Sequence, residues 1–304
     1  MPPRSRSPQN PDLGALLPSW ELHLRAERKS PQTIKSYSTG VRQYLAFCAA
    51  SDRPAVLDRA TLSGFVDHLL SNGAEAATAR SRHLAIRRYS AWLVDEGELD
   101  VDPIAGVRGP KLDAKVVQPL TDDQLRALIK ACSGTDLRDR RDEAIVRLMA
   151  ETGMRAGEAA NMKLADVDLA SGRALVVRGK GGKGRVVPFQ AQTAKALDRW
   201  MRVRKQHRLA HLEGLWLGDR NRGFTYDALH KTLAYRAQLA GIEGFHPHRL
   251  RHTAAHRWLA AGGSEMGLMA VAGWERPDML MRYTKAQASD RAAEESRRLG
   301  LGDL

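Results

Sequence analysis

Between Glu98 and Gln118 the chain loses its apolar periodicity, and this one break divides it into two folding problems. Pro103, Gly106, Gly109 and Pro110 crowd the stretch, so 98–118 reads as a linker. Residues 12–97, ahead of it, carry helical spacing alone. Leu13, Leu16, Leu17, Trp20, Leu22 and Leu24 are loosely helical. Ser30-Pro31 then supplies an N-cap followed by proline at the first helical position. Ile34, Tyr37, Val41, Tyr44, Leu45 and Cys48 continue that helix. Two more are expected, over 59–71 ending at Asn72-Gly73 and over 76–96 ending at Gly97. No strand pattern competes, so this half should be a four-helix domain. Residues 1–11, polar and rich in Pro and Ser, read as a disordered arm.

Beyond the break, residues 119–304 read as mainly α with a small antiparallel β-sheet. Thr121-Asp122-Asp123-Gln124 has the form of a capping box. A helix near 137–152 should stop at Gly153, and another should run from Glu158 to Lys163. Residues 173–178 and 185–188 read as strands around the turn Gly179-Lys180-Gly181-Gly182-Lys183-Gly184. Further helices are expected near 190–207, 225–240, 248–261, 264–271 and 286–299.

Charge narrows the partner. The formal net charge of the 304 residues is +13. Residues 1–112 hold 15 Lys+Arg against 12 Asp+Glu, and residues 113–304 hold 33 against 23. The excess therefore sits in the second half and favours a polyanion, most simply nucleic acid. Cys48 and Cys132 are too isolated for a metal site or a disulfide framework and read as buried thiols of a reducing cytoplasm. No apolar run approaches the ~18 residues of a membrane span.

The chemistry lies in two short motifs. One is Thr152-Gly153-Met154-Arg155-Ala156-Gly157-Glu158, and the other runs from His248-Arg249-Leu250-Arg251-His252 through Gly273-Trp274 to Tyr283. Tyr283 lies 32 positions after Arg251 and 9 after Trp274. Guanidinium forks match the oxygens of a phosphodiester and stay charged at every working pH. A tyrosine hydroxyl is a nucleophile once a neighbour takes its proton or positive charge lowers its pKa. Trp274 offers an N–H donor and no acceptor, so it can hold phosphate but cannot move a proton. His252 and His246 read as structural neighbours. The glycine-rich turn lacks the Gly-Lys-Ser/Thr ending of a P-loop, and no cluster has metal-ligand spacing. Neither a nucleotide nor a metal is expected.

These residues and spacings resemble the tyrosine recombinase family, the phage integrases and Xer-like site-specific recombinases. The resemblance implies a C-shaped clamp around double-stranded DNA, with residues 12–97 as the core-binding (SAM-like) domain and 119–304 as the catalytic domain. It implies Arg155, Lys180, His248, Arg251, Trp274 and Tyr283 as catalytic positions, with Tyr283 forming a 3′-phosphotyrosyl link and Lys180 protonating the leaving 5′-oxygen. Lys183 is the local rival for that role and otherwise a DNA contact. Glu158, three residues after Arg155, is expected to orient it. Arg28, Lys29, Thr33 and Lys35 at one helix start, and Arg80, Arg82, Arg87 and Arg88 on another helix, are expected DNA contacts. A homotetramer on two DNA sites, exchange through a Holliday junction, a directionality protein as accessory partner and a C-terminal helix docking on a neighbouring protomer complete what the resemblance implies. The short N-terminus favours a simple integrase or Xer-like protein.

Overall fold

A computed structural model describes residues 10–112, 117–177, 184–218, 223–277 and 279–280. The chain separates into two compact units, residues 1–115 and 116–304. The first holds α1 (Leu13–Ala26), α2 (Pro31–Ala50), α3 (Arg59–Ser71) and α4 (Ala76–Asp95). Side chains start the first three: Asp12 accepts from the first turn of α1, Ser30 from Thr33 N, and Asp58 from Thr61 N. Trp20 anchors the core, with its ring 5.9 Å from Tyr37 and 4.8 Å from Tyr89. Tyr89 also donates its hydroxyl to the Leu13 carbonyl at 2.7 Å. Helices α2 and α4 cross at Gly40, where an added Cβ would stand 2.5 Å from the Ala85 Cβ.

The stretch expected to be a linker is largely fastened to this unit. Ile104 is fully buried in the helical core. Asp102 caps its turn, accepting from Ile104 N at 3.1 Å and from the Ser90 hydroxyl at 2.5 Å. Arg59 donates to the Ala105 carbonyl and Arg80 to that of Pro110. Periodicity could not reveal this, because one apolar residue in a turn makes no repeat. On the far side, Leu120 N donates to Thr253 Oγ1 at 2.8 Å and Arg249 Nε to the Gln118 carbonyl at 3.1 Å. Residues 113–116, between these anchored ends, lie outside the described residues.

The second unit holds α5 (Asp122–Ala131), α6 (Leu137–Thr152) and α7 (Ala156–Ala160). A three-stranded sheet follows, of β1 (Val167–Asp168), β2 (Arg173–Val176) and β3 (Arg185–Pro188). The order ends with α8 (Ala191–Lys205), α9 (Tyr226–Leu239), α10 (His248–Ala260) and α11 (Glu265–Ala272). The sheet is antiparallel in the order β1-β2-β3, with Val176 opposite Arg185. Thr121 and Gln124 form the expected capping box. The helix after Arg155 starts at Ala156 and stops at Ala160, earlier than 158–163, because Arg155 occupies the N-cap position. β1 was not expected, since two residues are too few to show alternation. Trp200 donates to the Leu215 carbonyl and Trp216 to that of Ala159, which pins α7 to the core. Arg204, 2 % exposed, gathers the carbonyls of Ala210, Leu212, Gly214 and Leu215 and so folds the turn after α8 around its guanidinium. Both cysteines are buried and unpaired with each other, and burial pushes the Cys132 thiol up to about 12.

Candidate active site

The site is built around the end of α6. Gly153 adopts φ 62°, a left-handed conformation that glycine takes without strain, and closes the helix. Two residues later Arg155 begins α7. The carboxylate of Glu158 accepts from Arg155 N at 2.8 Å and from Arg155 Nη1 at 3.0 Å. These two bonds tie the guanidinium to its own backbone through one carboxylate.

Arg251 lies in the first turn of α10, only 2 % exposed. It donates Nη1 to the Gly153 carbonyl at 2.7 Å and Nη2 to the Ala272 carbonyl at 2.9 Å. Its guanidinium stands 5.3 Å from the centroid of the Trp274 ring, within cation–π range. Trp274 follows Gly273, which ends α11 at φ 65°, and is 5 % exposed against Ala255, Leu259, Leu268 and Leu280. Arg155, Glu158, Arg251 and Trp274 therefore share one locus, joined through Gly153 and Ala272. His248 opens α10 and is exposed, with its ring 4.8 Å from that of His252. Burial first, then the neighbouring His248, His246 and His256 rings and Arg251, lowers His252 to about 4, so it is a neutral packing partner at pH 7. Lys180, Lys183 and Tyr283 lie outside the described residues, as do Ala286 to Leu304.

Sequence reasoning missed Arg185. It starts β3 and donates Nη1 and Nη2 to the two Glu158 oxygens at 3.0 and 2.8 Å, and Nε to the Val271 carbonyl at 2.7 Å. The available signal was alternation: Arg185 shares a strand face with the fully buried Val187, whereas Val186 and Pro188 face outward. Burial opposes the charge of Glu158, but bonds from Arg185 and Arg155 outweigh it and hold the carboxyl at about 2.

In the helical unit, Arg80, Arg87 and Arg88 are exposed on one face of α4, with Leu84 at 43 % exposure among them. Leu84 belongs to this basic face and not to the core. Arg82 points elsewhere: two residues from Arg80 is 200° around a helix, and Arg82 donates to the Ser36 carbonyl of α2 at 3.3 Å. Arg28, Lys29 and Lys35 are exposed near the start of α2, while the Thr33 hydroxyl lies 2.7 Å from that of Ser30. A groove of about 420 Å³ beside them is lined by Arg25, Lys29, Lys35 and Arg42, with Glu21 the one acidic residue of its lining. Sequence reasoning had not included Arg25 or Arg42.

Residues 118–290 match the phage integrase family model, and residues 17–97 match the N-terminal SAM-like domain of phage integrases. The chain belongs to the phage integrase family. Within it the chain is an Xer-like tyrosine recombinase. It is 35 % identical over 266 residues to tyrosine recombinase XerC of Mycobacterium tuberculosis (strain ATCC 25177 / H37Ra), covering 82 % of this chain and 87 % of that one. It is 28 % identical over 274 residues to XerC of Actinobacillus pleuropneumoniae serotype 7 (strain AP76), covering 88 % and 87 %. Among solved structures, XerH recombinase bound to palindromic difH substrate in a post-cleavage complex matches with TM-score 0.72 at 19 % identity, covering 93 % of this chain and 84 % of that chain. A lambda integrase tetramer bound to a Holliday junction matches with TM-score 0.67 at 16 % identity, covering 87 % and 77 %.

Proposed function

We propose that this recombinase cleaves and rejoins double-stranded DNA at specific sites through Tyr283, and exchanges strands between two sites by way of a Holliday junction. The observation that carries the reading is the convergence of Arg155 and Arg251, 96 positions apart, on the Gly153 corner beside Trp274. Two guanidinium groups at one locus stabilise the charge that builds on the non-bridging oxygens during attack. The Tyr283 oxygen bonds to phosphorus as the bond to the 5′-oxygen breaks. His248 assists the loss of the tyrosine proton, and Lys180 supplies a proton to the departing oxygen. The 3′-phosphotyrosyl link retains the ester bond, so a 5′-hydroxyl of the partner strand rejoins it without a nucleotide. In this reading no metal is needed, because the arginines supply the positive charge.

The basic faces of the helical unit (Arg28, Lys29, Thr33 and Lys35, then Arg80, Arg87 and Arg88) hold phosphates along the duplex. Arg82 supports α2 and is withdrawn from that set. The working assembly is a homotetramer on two sites, with the segment Ala286 to Leu304 docking on a neighbouring protomer. Truncation after Lys285 should then abolish tetramer assembly. Among the described residues no helix is long and apolar enough to cross a membrane, and we place the protein's work with DNA in the cytoplasm.

The test is capture of denaturant-resistant protein–DNA adducts from cells expressing wild type or Tyr283→Phe, followed by sequencing of the attached DNA. Adducts in wild type alone, centred on a recurring sequence that supports exchange between two marked copies, are expected. Adducts that persist in Tyr283→Phe would remove the nucleophile from this reading. Relaxation of supercoils without exchange would replace recombination by topoisomerase-type chemistry.

A further inference from the structure

We infer that Arg185 is a positioning residue of the cleavage reaction. It fixes Arg155 through their shared glutamate and holds the turn that presents Trp274; the inference rests on the active-site reading above.

The geometry assigns every nitrogen of the Arg185 guanidinium. Nη1 and Nη2 grip the two oxygens of Glu158, and Nε holds the Val271 carbonyl. The opposite edge of Glu158 is taken by Arg155, through its backbone N and its Nη1. Glu158 is thus clamped between two arginines, and its orientation transmits the position of β3 to the Arg155 side chain. The side chains of Arg185 and Glu158 are 12 % and 11 % exposed, whereas that of Arg155 is 40 % exposed. Arg155 is placed to meet a phosphate from solvent, and Arg185 is spent on the protein.

The second connection runs to α11. Gly273 lies directly against the guanidinium, and a Cβ there would stand 2.9 Å from Nη1 and 3.0 Å from Cζ. Glycine at 273 therefore serves both the left-handed turn and the approach of Arg185. Val271 and Gly273 flank Ala272, whose carbonyl accepts from Arg251, and Trp274 follows at once. One side chain from β3 thus reaches the neighbourhoods of Arg155, Arg251 and Trp274. A buried ion pair of this kind contributes little net stability, since desolvation offsets its attraction. Its return is geometry, a planar fork that sets angles as well as distances. Lysine keeps the charge and cannot make all three bonds.

The experiment uses full-length protein and a nicked suicide duplex carrying the site recovered from the adducts. The scissile group is either the ordinary phosphodiester or a methylphosphonate, in which a neutral methyl replaces one charged oxygen. Removing that charge relieves the demand on the arginines, so a defect in arginine placement is partly rescued, whereas a defect in folding is not. For Arg185→Met we expect cleavage to fall by about 30-fold on the phosphodiester and by about 3-fold on the methylphosphonate, below the ~10²–10³-fold of a charge-stabilising donor removed outright, because Arg155 is displaced and not lost. DNA affinity should stay within about 2-fold, because few phosphate contacts are touched. Arg185→Lys, which preserves the charge should Arg185→Met fail to fold, should show the same pattern at smaller size. Equal losses on both substrates, or cleavage at the wild-type rate, overturn the positioning role. Arg155→Ala is the reference: if it cleaves normally, the active-site reading itself fails and the inference falls with it. A rescued Arg155→Ala beside an unrescued Arg185→Met refutes the inference alone.

Discussion

Arg251 Nη1 donates to the carbonyl oxygen of Gly153 at 2.7 Å, across 98 positions of sequence. The second nitrogen of the same fork reaches the Ala272 carbonyl at 2.9 Å. Backbone carbonyls at two helix ends thus fix the direction of the guanidinium. Arg251→Lys has one nitrogen for two carbonyls. Cleavage of the suicide duplex should fall by about 10²–10³-fold, the usual cost of a lost charge-stabilising donor. Adduct formation over time measures it.

The acid response of the fold should come in two stages. His252 titrates at about 4 in the folded chain and at 6.5 ordinarily. The unfolded state therefore binds the proton first, and stability falls as pH drops from 6.5 towards 4. Glu158 titrates at about 2 against an ordinary 4.5, so its contribution is complete above 4.5 and is lost as pH falls through 2. Urea unfolding at stepped pH reads both stages. His252→Gln should flatten the upper one and Glu158→Gln the lower one.

Glu158→Ala leaves the Arg185 guanidinium without its carboxylate partner at a site only 12 % exposed. Breaking one side of such a pair costs about 3 kcal/mol. Denaturant midpoints compare this variant with Glu158→Gln, which keeps the shape and part of the hydrogen bonding and should lose less.

Lys180 and Lys183 are separable by the leaving group. A bridging 5′-sulfur departs without a proton, so it removes the need for a general acid. Lys180→Ala should cleave the ordinary duplex poorly and the 5′-thio duplex at close to the wild-type rate. Lys183→Ala should be near normal on both. The reverse pattern would assign the acid to Lys183.

Gly40→Ala forces a Cβ to within 2.5 Å of the Ala85 Cβ. Overpacking at this crossing of α2 and α4 should destabilise the helical unit by about 1–3 kcal/mol. Ala85→Gly in the same chain should restore part of the loss, as judged by thermal unfolding.

The elements most legible in the sequence are those that repeat or carry a cap. Helices α2 to α4 announce themselves through 3.6 spacing, Ser30-Pro31 at the start of α2 and the glycines that follow α3 and α4. The two arginine motifs are legible because a phosphodiester demands guanidinium forks and a nucleophile. Arg185, Ile104 and Arg204 were not legible, for related reasons. Each acts through contacts that no regular spacing encodes, and a single residue in a strand, a turn or a charged helix face produces no period. Arg82 was read onto the wrong face because it was grouped by charge, whereas its angle around α4 turns it towards α2.

The seat of Ile104 bears on where the helical half can be cut free. The SAM-like family match stops at residue 97, yet Ile104 fills the core that α1 to α4 enclose, and the chain is still fastened at Pro110. A fragment ending at Gly97 would expose an empty apolar socket and lose the Asp102 clasp on Ser90. The compact helical unit includes Pro110, and a fragment trimmed to the homology boundary would misrepresent its stability.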